Sequence, residues 1–172
     1  PKYMNTPETL TYSKRRILYG MNLAKKSKRS NIILCEGNLD VVTLHQAGFD
    51  NAVASMGTAL TQEQLRLLSR YTKELVLCYD NDNAGQQATR RALELLNNSE
   101  FSVKVLQLPR RLVDGEYIKQ DADDFIKLQG PAAFERLLTG SENGVEFRLD
   151  QIAGKYDLTD DTQRIAYAQE VS

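Results

Sequence analysis

No stretch of the chain approaches the roughly 20 consecutive apolar residues that cross a bilayer, and no signal-peptide pattern opens it. Cysteine is scarce: Cys35 and Cys78 are the only two, each inside a short apolar run. They exclude a disulfide scaffold and read as buried small hydrophobes of a reducing compartment. No Cys/His cluster has the spacing of a zinc site, and the single histidine, His45, falls mid-helix, where a structural or solvated role suits it better than metal ligation. Internal repeats and low-complexity segments are absent as well. What is present is a globular balance, 41% hydrophobic and 26% charged over 172 residues. That is one ordinary core with room for a small helical appendage.

The formal net charge of −1 hides an asymmetry. The first 30 residues carry eight basic side chains (Lys2, Lys14, Arg15, Arg16, Lys25, Lys26, Lys28 and Arg29) against Glu8 alone, a local charge of +7. The remainder carries 14 basic and 22 acidic residues, a charge of −8. A basic arm beside an acidic body points to a polyanion on one side and cations on the other. A solvated lysine-rich helix accounts for the arm equally well on charge alone. A chain that opens at Pro1 is expected to be a piece of a longer one.

Apolar spacing predicts a helix from about residue 11 to 29, then the short apolar run Asn31-Ile32-Ile33-Leu34-Cys35 as a strand. Helix and strand then alternate: Leu39 to Gln46, Ala52-Val53-Ala54, a helix capped by Thr61 with Gln64 three residues on, Leu75 to Tyr79, Ala84 to Leu96, and Val103 to Leu106. Alternation at this pitch means βαβ units and a mostly parallel, four-stranded sheet flanked by helices, an α/β fold. After Pro109 the rhythm breaks. Residues 110–120 read as a polar connection without helix or strand pattern, and a short helix follows from Asp121 to Leu128. Gly130-Pro131 opens further helical pieces interrupted at Gly140 to Gly144 and at Gly154.

In open α/β sheets ligands bind at the carboxyl ends of the strands, and acidic residues gather there. Glu36 follows the first strand, with Asp40 one helical turn on; Asp80 and Asp82 follow the third; Asp121, Asp123 and Asp124 follow the fourth. Carboxylates crowded together stay ionised only when something positive lies between them. Oxygen ligands without His or Cys suit Mg²⁺ or Mn²⁺ rather than zinc. For any one of these residues, helix capping is an adequate explanation, Asp82 and Asp121 above all. Convergence of three acidic groups is not explained that way.

Glu36-Gly37-Asn38-Leu39-Asp40 and Tyr79-Asp80-Asn81-Asp82-Asn83-Ala84-Gly85 resemble the two signatures of the Toprim domain, shared by bacterial primases, topoisomerases and some nucleases. The opening Pro1 to Thr9, the helix with Lys14 and Leu18-Tyr19-Gly20, and Ser55 to Thr61 are similar to the replicative-primase branch, over roughly residues 1–128. The resemblance implies a lead-in over 1–30, a Toprim domain over 31–128 and an incomplete helical subdomain over 129–172. It implies catalytic roles for Glu36, Asp80 and Asp82, and metal-site roles for Glu36, Asp40, Asp80, Asp82, Asp121 and Asp123. Lys2, Tyr3 and Lys14 match positions that face nucleotide phosphates or template.

The implied activity is DNA-dependent RNA primer synthesis by nucleotidyl transfer with two or more Mg²⁺ or Mn²⁺ ions and no zinc. Its implied partners are a single-stranded DNA template, ribonucleoside triphosphates and, through a C-terminal domain outside this chain, the replicative helicase. Its setting is the bacterial cytoplasm, away from membranes. Glu36 either completes the metal shell or accepts the hydroxyl proton. This piece by itself is expected to initiate primers poorly or not at all. The competing readings are a Toprim-type nucleic-acid-binding, nuclease or topoisomerase module without primer synthesis, and a receiver-like phospho-acceptor domain. Two departures stand out: Asn81 and Ala122 replace the family's usual Gly and Pro, and residues 110–120 look like an insertion.

Overall fold

The computed structural model describes residues 9, 12–57, 59–113 and 115–171, with Glu142 and Gln151 described by their backbones alone. Four parallel strands form the sheet: β1 (Asn31–Cys35), β2 (Ala52–Ala54), β3 (Glu74–Cys78) and β4 (Ser102–Val105). A two-residue fifth strand, Glu142–Asn143, pairs antiparallel to β4, so the order runs β2-β1-β3-β4 and then this edge. The sequence reading placed only a helix interruption there.

Strand residues alternate between two cores, as a pleated chain buried on both faces requires. Ile32, Leu34, Leu75 and Leu77 pack under α3 (Gln62–Leu68) and α4 (Asn83–Leu96). Ile33, Cys35, Val76 and Cys78 pack under α2 (Asn38–Gln46), α5 (Ala122–Gln129) and α6 (Pro131–Thr139). Each fully buried Leu or Ile contributes about 1.5–3 kcal/mol, so the central β1–β3 pair anchors the site. Phe134 and Leu138 of α6 join one core, and Phe147 of α7 (Gly144–Ala153) joins the other; α8 (Asp161–Val171) has no fully buried residue. Cys35 and Cys78 are free, buried and directly in register. His45 Nε2 donates to the Ala52 carbonyl at 2.9 Å, a structural role. Among the described residues no helix is long and apolar enough to cross a membrane.

Two expectations need correction. The helix predicted from 11 to 29 shrinks to α1 (Met21–Ala24). Gly20 enters it with φ 79°, a left-handed conformation that no helix interior accepts, and Tyr19 instead forms an antiparallel bridge to Ala54. The polar connection 110–120 contains a β-hairpin, β5 (Arg111–Val113) with β6 (Glu116–Ile118). Asp114-Gly115 is the two-residue turn signal that marks a hairpin, and Gly115 supplies the positive φ of 85°.

Candidate metal centre at the carboxyl edge of the sheet

β1 and β3 are neighbours, with Cys35 level with Cys78, so the residues that follow them emerge side by side. Glu36, Asp40, Asp80, Asp121 and Asp123 line one cleft of about 340 Å³ together with Gly37, Asn38, Leu39, Met56 and Gly57. Met56, at φ 56°, holds a conformation unusual for a side chain of its size.

Not all these carboxylates are equivalent. Asp40, 7% exposed, accepts from the amides of Gly37 and Asp123, both at 3.2 Å, and so ties the β1–α2 turn to α5. Asp123 accepts from Thr43 Oγ1 and pairs with Lys127 at 2.6 Å. Asp121 caps α5 by accepting from the Asp124 amide at 2.8 Å. Asp82 lies beside the cleft rather than in its lining. Its Oδ1 caps α4 through the Gly85 amide at 2.9 Å, while its Oδ2 meets Lys119 Nζ at 3.0 Å. The same ammonium reaches Asp80 at 3.1 Å. Glu36 makes no hydrogen bond or ion pair with any described residue. Lys14 is half-buried, its carbonyl accepting from Gln64 Nε2 at 2.9 Å, and it is not a cleft residue. Lys2 and Tyr3 lie outside the described residues.

Lys119 is the residue that sequence reading missed. Nothing in its neighbourhood marks it, but the pairing of β5 with β6 folds the insertion back so that its last strand delivers Lys119 onto the Asp80/Asp82 pair.

Charge crowding is visible in the acidities. Burial, then the charges of Asp80 and Asp82, push Glu36 up to about 7, against the pull of Lys119. Burial and then Asp121 push Asp40 up to about 6, the Asp123 amide pulling the other way. Asp82 is held below its ordinary value by the Gly85 amide and Lys119. A divalent cation fits this setting. The donors are all oxygens, as a hard cation needs, and Asn38 Oδ1 in the cleft wall is buried with no hydrogen-bond partner among the described residues. Asp121, Asp123 and Asp124 by themselves bring carboxylate oxygens within 4.8 Å of one another.

A pH dependence follows. Glu36 and Asp40 bind protons more tightly folded than unfolded, so between pH 4 and 7 the folded chain holds more protons, and stability falls as pH rises through that window. In EDTA the thermal midpoint is expected to drop across it, Glu36→Gln to flatten the drop, and a saturating divalent cation to reverse it. A midpoint that rises from pH 5 to 7 in EDTA contradicts the crowding.

A model of the Toprim-like family matches residues 33–126, more than half the chain and both acidic signatures. The chain belongs to the Toprim-like family. Among curated proteins its Toprim sequence is similar to the DNA primase of Clostridium acetobutylicum, 39% identical over 173 residues that cover all of this chain and 28% of that protein. It is 38% identical to the DNA primase of Enterococcus faecalis, covering 99% of this chain and 27% of that one. Among solved structures it superposes on a DnaG primase catalytic domain bound to single-stranded DNA with a TM-score of 0.81 at 33% identity, covering 98% of this chain and 54% of that one. The RNA polymerase domain of Mycobacterium tuberculosis primase, solved with an overhanging DNA duplex, gives 0.76 at 32%, covering 99% and 54%. The chain therefore spans about a quarter of those curated relatives and about half of those solved chains. Toprim domains bind divalent metals, and this one has the carboxylates to do so.

Proposed function

We propose that this chain is part of the catalytic core of a bacterial DNA primase, a cytoplasmic DNA-dependent RNA polymerase that makes short RNA primers. One observation carries the reading: Glu36 and Asp80, leaving adjacent parallel strands, open into a single acidic cleft. The primases reported above favour it over a binding, nuclease or topoisomerase module of the same fold. Residues 31–128 are the Toprim unit, 1–30 a lead-in from the preceding part of the core, and 129–172 a helical subdomain docked through Phe134, Leu138 and Phe147.

In the proposed reaction the 3′-hydroxyl of one ribonucleotide attacks the α-phosphorus of the next, and pyrophosphate leaves. Such a transfer asks for positioning and charge neutralisation more than for a protein nucleophile. Bound Mg²⁺ or Mn²⁺, two or more ions, neutralises the phosphates and lowers the barrier to attack. Glu36, Asp80 and Asp121 hold the cations, since each keeps at least one oxygen clear of the hydrogen bonds described above. Asp40 and Asp123 act mainly as positioning residues, locking α2 to α5. Asp82 fixes the start of α4 and shares Lys119 with Asp80. Lys2, Tyr3 and Lys14 are the proposed contacts to template or triphosphate, single-stranded DNA and ribonucleoside triphosphates are the substrates, and the replicative helicase docks on a C-terminal domain of the full-length protein. The test is ribonucleotide incorporation on a single-stranded template by the full-length protein. It is expected to require Mg²⁺ or Mn²⁺ and to vanish with Asp80→Asn; metal-independent or undiminished synthesis overturns the reading.

A further inference from the structure

The hairpin β5–β6 is a ten-residue outgrowth rooted on the cleft. Its register pairs Arg111 with Ile118, Leu112 with Tyr117 and Val113 with Glu116. Alternation therefore puts Leu112 and Tyr117 on one face, and Arg111, Val113, Glu116 and Ile118 on the other. One residue further at each end, Arg110 and Lys119 continue the first face. Their contacts agree, since Arg110 Nη2 donates to the Asn81 carbonyl at 3.4 Å and Lys119 bridges Asp80 and Asp82. That face thus runs from two cations at the carboxylate loop to an outer aliphatic–aromatic pair. Leu112 is 58% exposed and Tyr117 70%, the latter among the most exposed large apolar side chains described.

We propose that this face binds single-stranded nucleic acid at the mouth of the cleft, the Tyr117 ring stacking on a base, Leu112 flanking it, and Arg110 meeting a neighbouring phosphate. The inference rests on the nucleotidyl-transfer reading of the cleft and adds a strand-binding element to it. Three observations select this occupant. A protein partner needs about 800 Å² on each side, which two apolar side chains on a ten-residue hairpin do not offer, whereas base stacking needs one exposed ring beside a cation. The acidic Glu116 sits on the opposite face, leaving the stacking face with positive charge at its root. Across the cleft, on the β2 side where Tyr19 bridges to Ala54, the basic lead-in is fastened by Thr61 Oγ1 donating to the Arg15 carbonyl at 2.6 Å. Basic residues therefore occur both at the hairpin root and in the segment fastened near β2, on either side of the strands that carry Glu36 and Asp80.

The experiment is fluorescence anisotropy of a labelled oligothymidylate of about twelve nucleotides with the 172-residue chain in Mg²⁺. Tyr117→Ala is expected to weaken binding about tenfold, the scale of one lost stack, and Tyr117→Phe to bind like the parent. Because the ring is exposed, both variants should keep the parental thermal midpoint. Affinity unchanged in Tyr117→Ala overturns the proposal, as does Tyr117→Phe failing equally, or a self-associating chain that Tyr117→Ala turns monomeric. Asp80→Asn, followed in parallel by Mn²⁺ binding, reports on the cleft separately. If that variant keeps its Mn²⁺, the metal reading falls while the Tyr117 comparison still decides the strand face.

Discussion

Asp80→Asn should lose Mn²⁺ binding by about 100-fold or more while keeping its fold. Even residues that only touch a metal ligand cost about 10–100-fold in affinity when changed, and Asp80 is assigned here as a direct ligand. It leaves β3 directly into the cleft, and its Oδ2 already attracts the Lys119 ammonium at 3.1 Å. The substitution should not destabilise the metal-free chain. It removes one of the negative charges that push the pKa values of Glu36 and Asp40 upward. The Lys119 contact it gives up is half-exposed and contributes under about 1 kcal/mol. The signature is a thermal midpoint in EDTA at or slightly above the parent's, with no rise on adding Mn²⁺. Parent-like Mn²⁺ titration, read by electron paramagnetic resonance, contradicts the assignment.

Gly85→Ala should have the opposite signature, a damaged fold. A Cβ at position 85 would stand 2.0 Å from the Asp80 carbonyl oxygen, 2.8 Å from its carbonyl carbon and 3.0 Å from its amide nitrogen. No rotamer relieves this, because both partners are backbone. Helix α4 must back away, taking its cap with it: Asp82 Oδ1 to the Gly85 amide, 2.9 Å. Overpacking costs about 1–3 kcal/mol or more and a lost cap about 1 kcal/mol. Together these amount to about 2–4 kcal/mol, a fall of roughly 4–16 °C in thermal midpoint for a chain of this size. Mn²⁺ affinity should fall too, since Asp80 is what the new methyl displaces. Gly140→Ala is the control, as its Cβ meets nothing nearer than 3.5 Å; a Gly85→Ala chain as stable as that control contradicts the account.

The central strands were legible because Ile32 to Cys35 and Leu75 to Cys78 are apolar runs cut off by acids, and burial on both faces leaves that trace. The acidic cleft followed, since a parallel pair must deliver Glu36 and Asp80 to the same edge. What lies beyond single-strand patterning was not legible. Apolar spacing around Tyr12 to Ala24 suggested a helix, but Tyr19 spends its backbone on Ala54 and Gly20 breaks the geometry. The division of labour among carboxylates was equally hidden: only three-dimensional contact shows that Asp40 and Asp123 are already engaged by amides, Thr43 and Lys127. Lys119, remote in sequence from Asp80, becomes its neighbour only through a hairpin whose Asp114-Gly115 signal was readable and whose docking was not.

A crystal of the chain soaked in Mn²⁺ and measured at the manganese absorption edge tests the heart of the matter. An anomalous peak is expected inside the cleft, in coordination contact with Asp80 and flanked by Glu36 and Asp121. Manganese bound only at the outer Asp121, Asp123 and Asp124 oxygens, with nothing between Glu36 and Asp80, would contradict it.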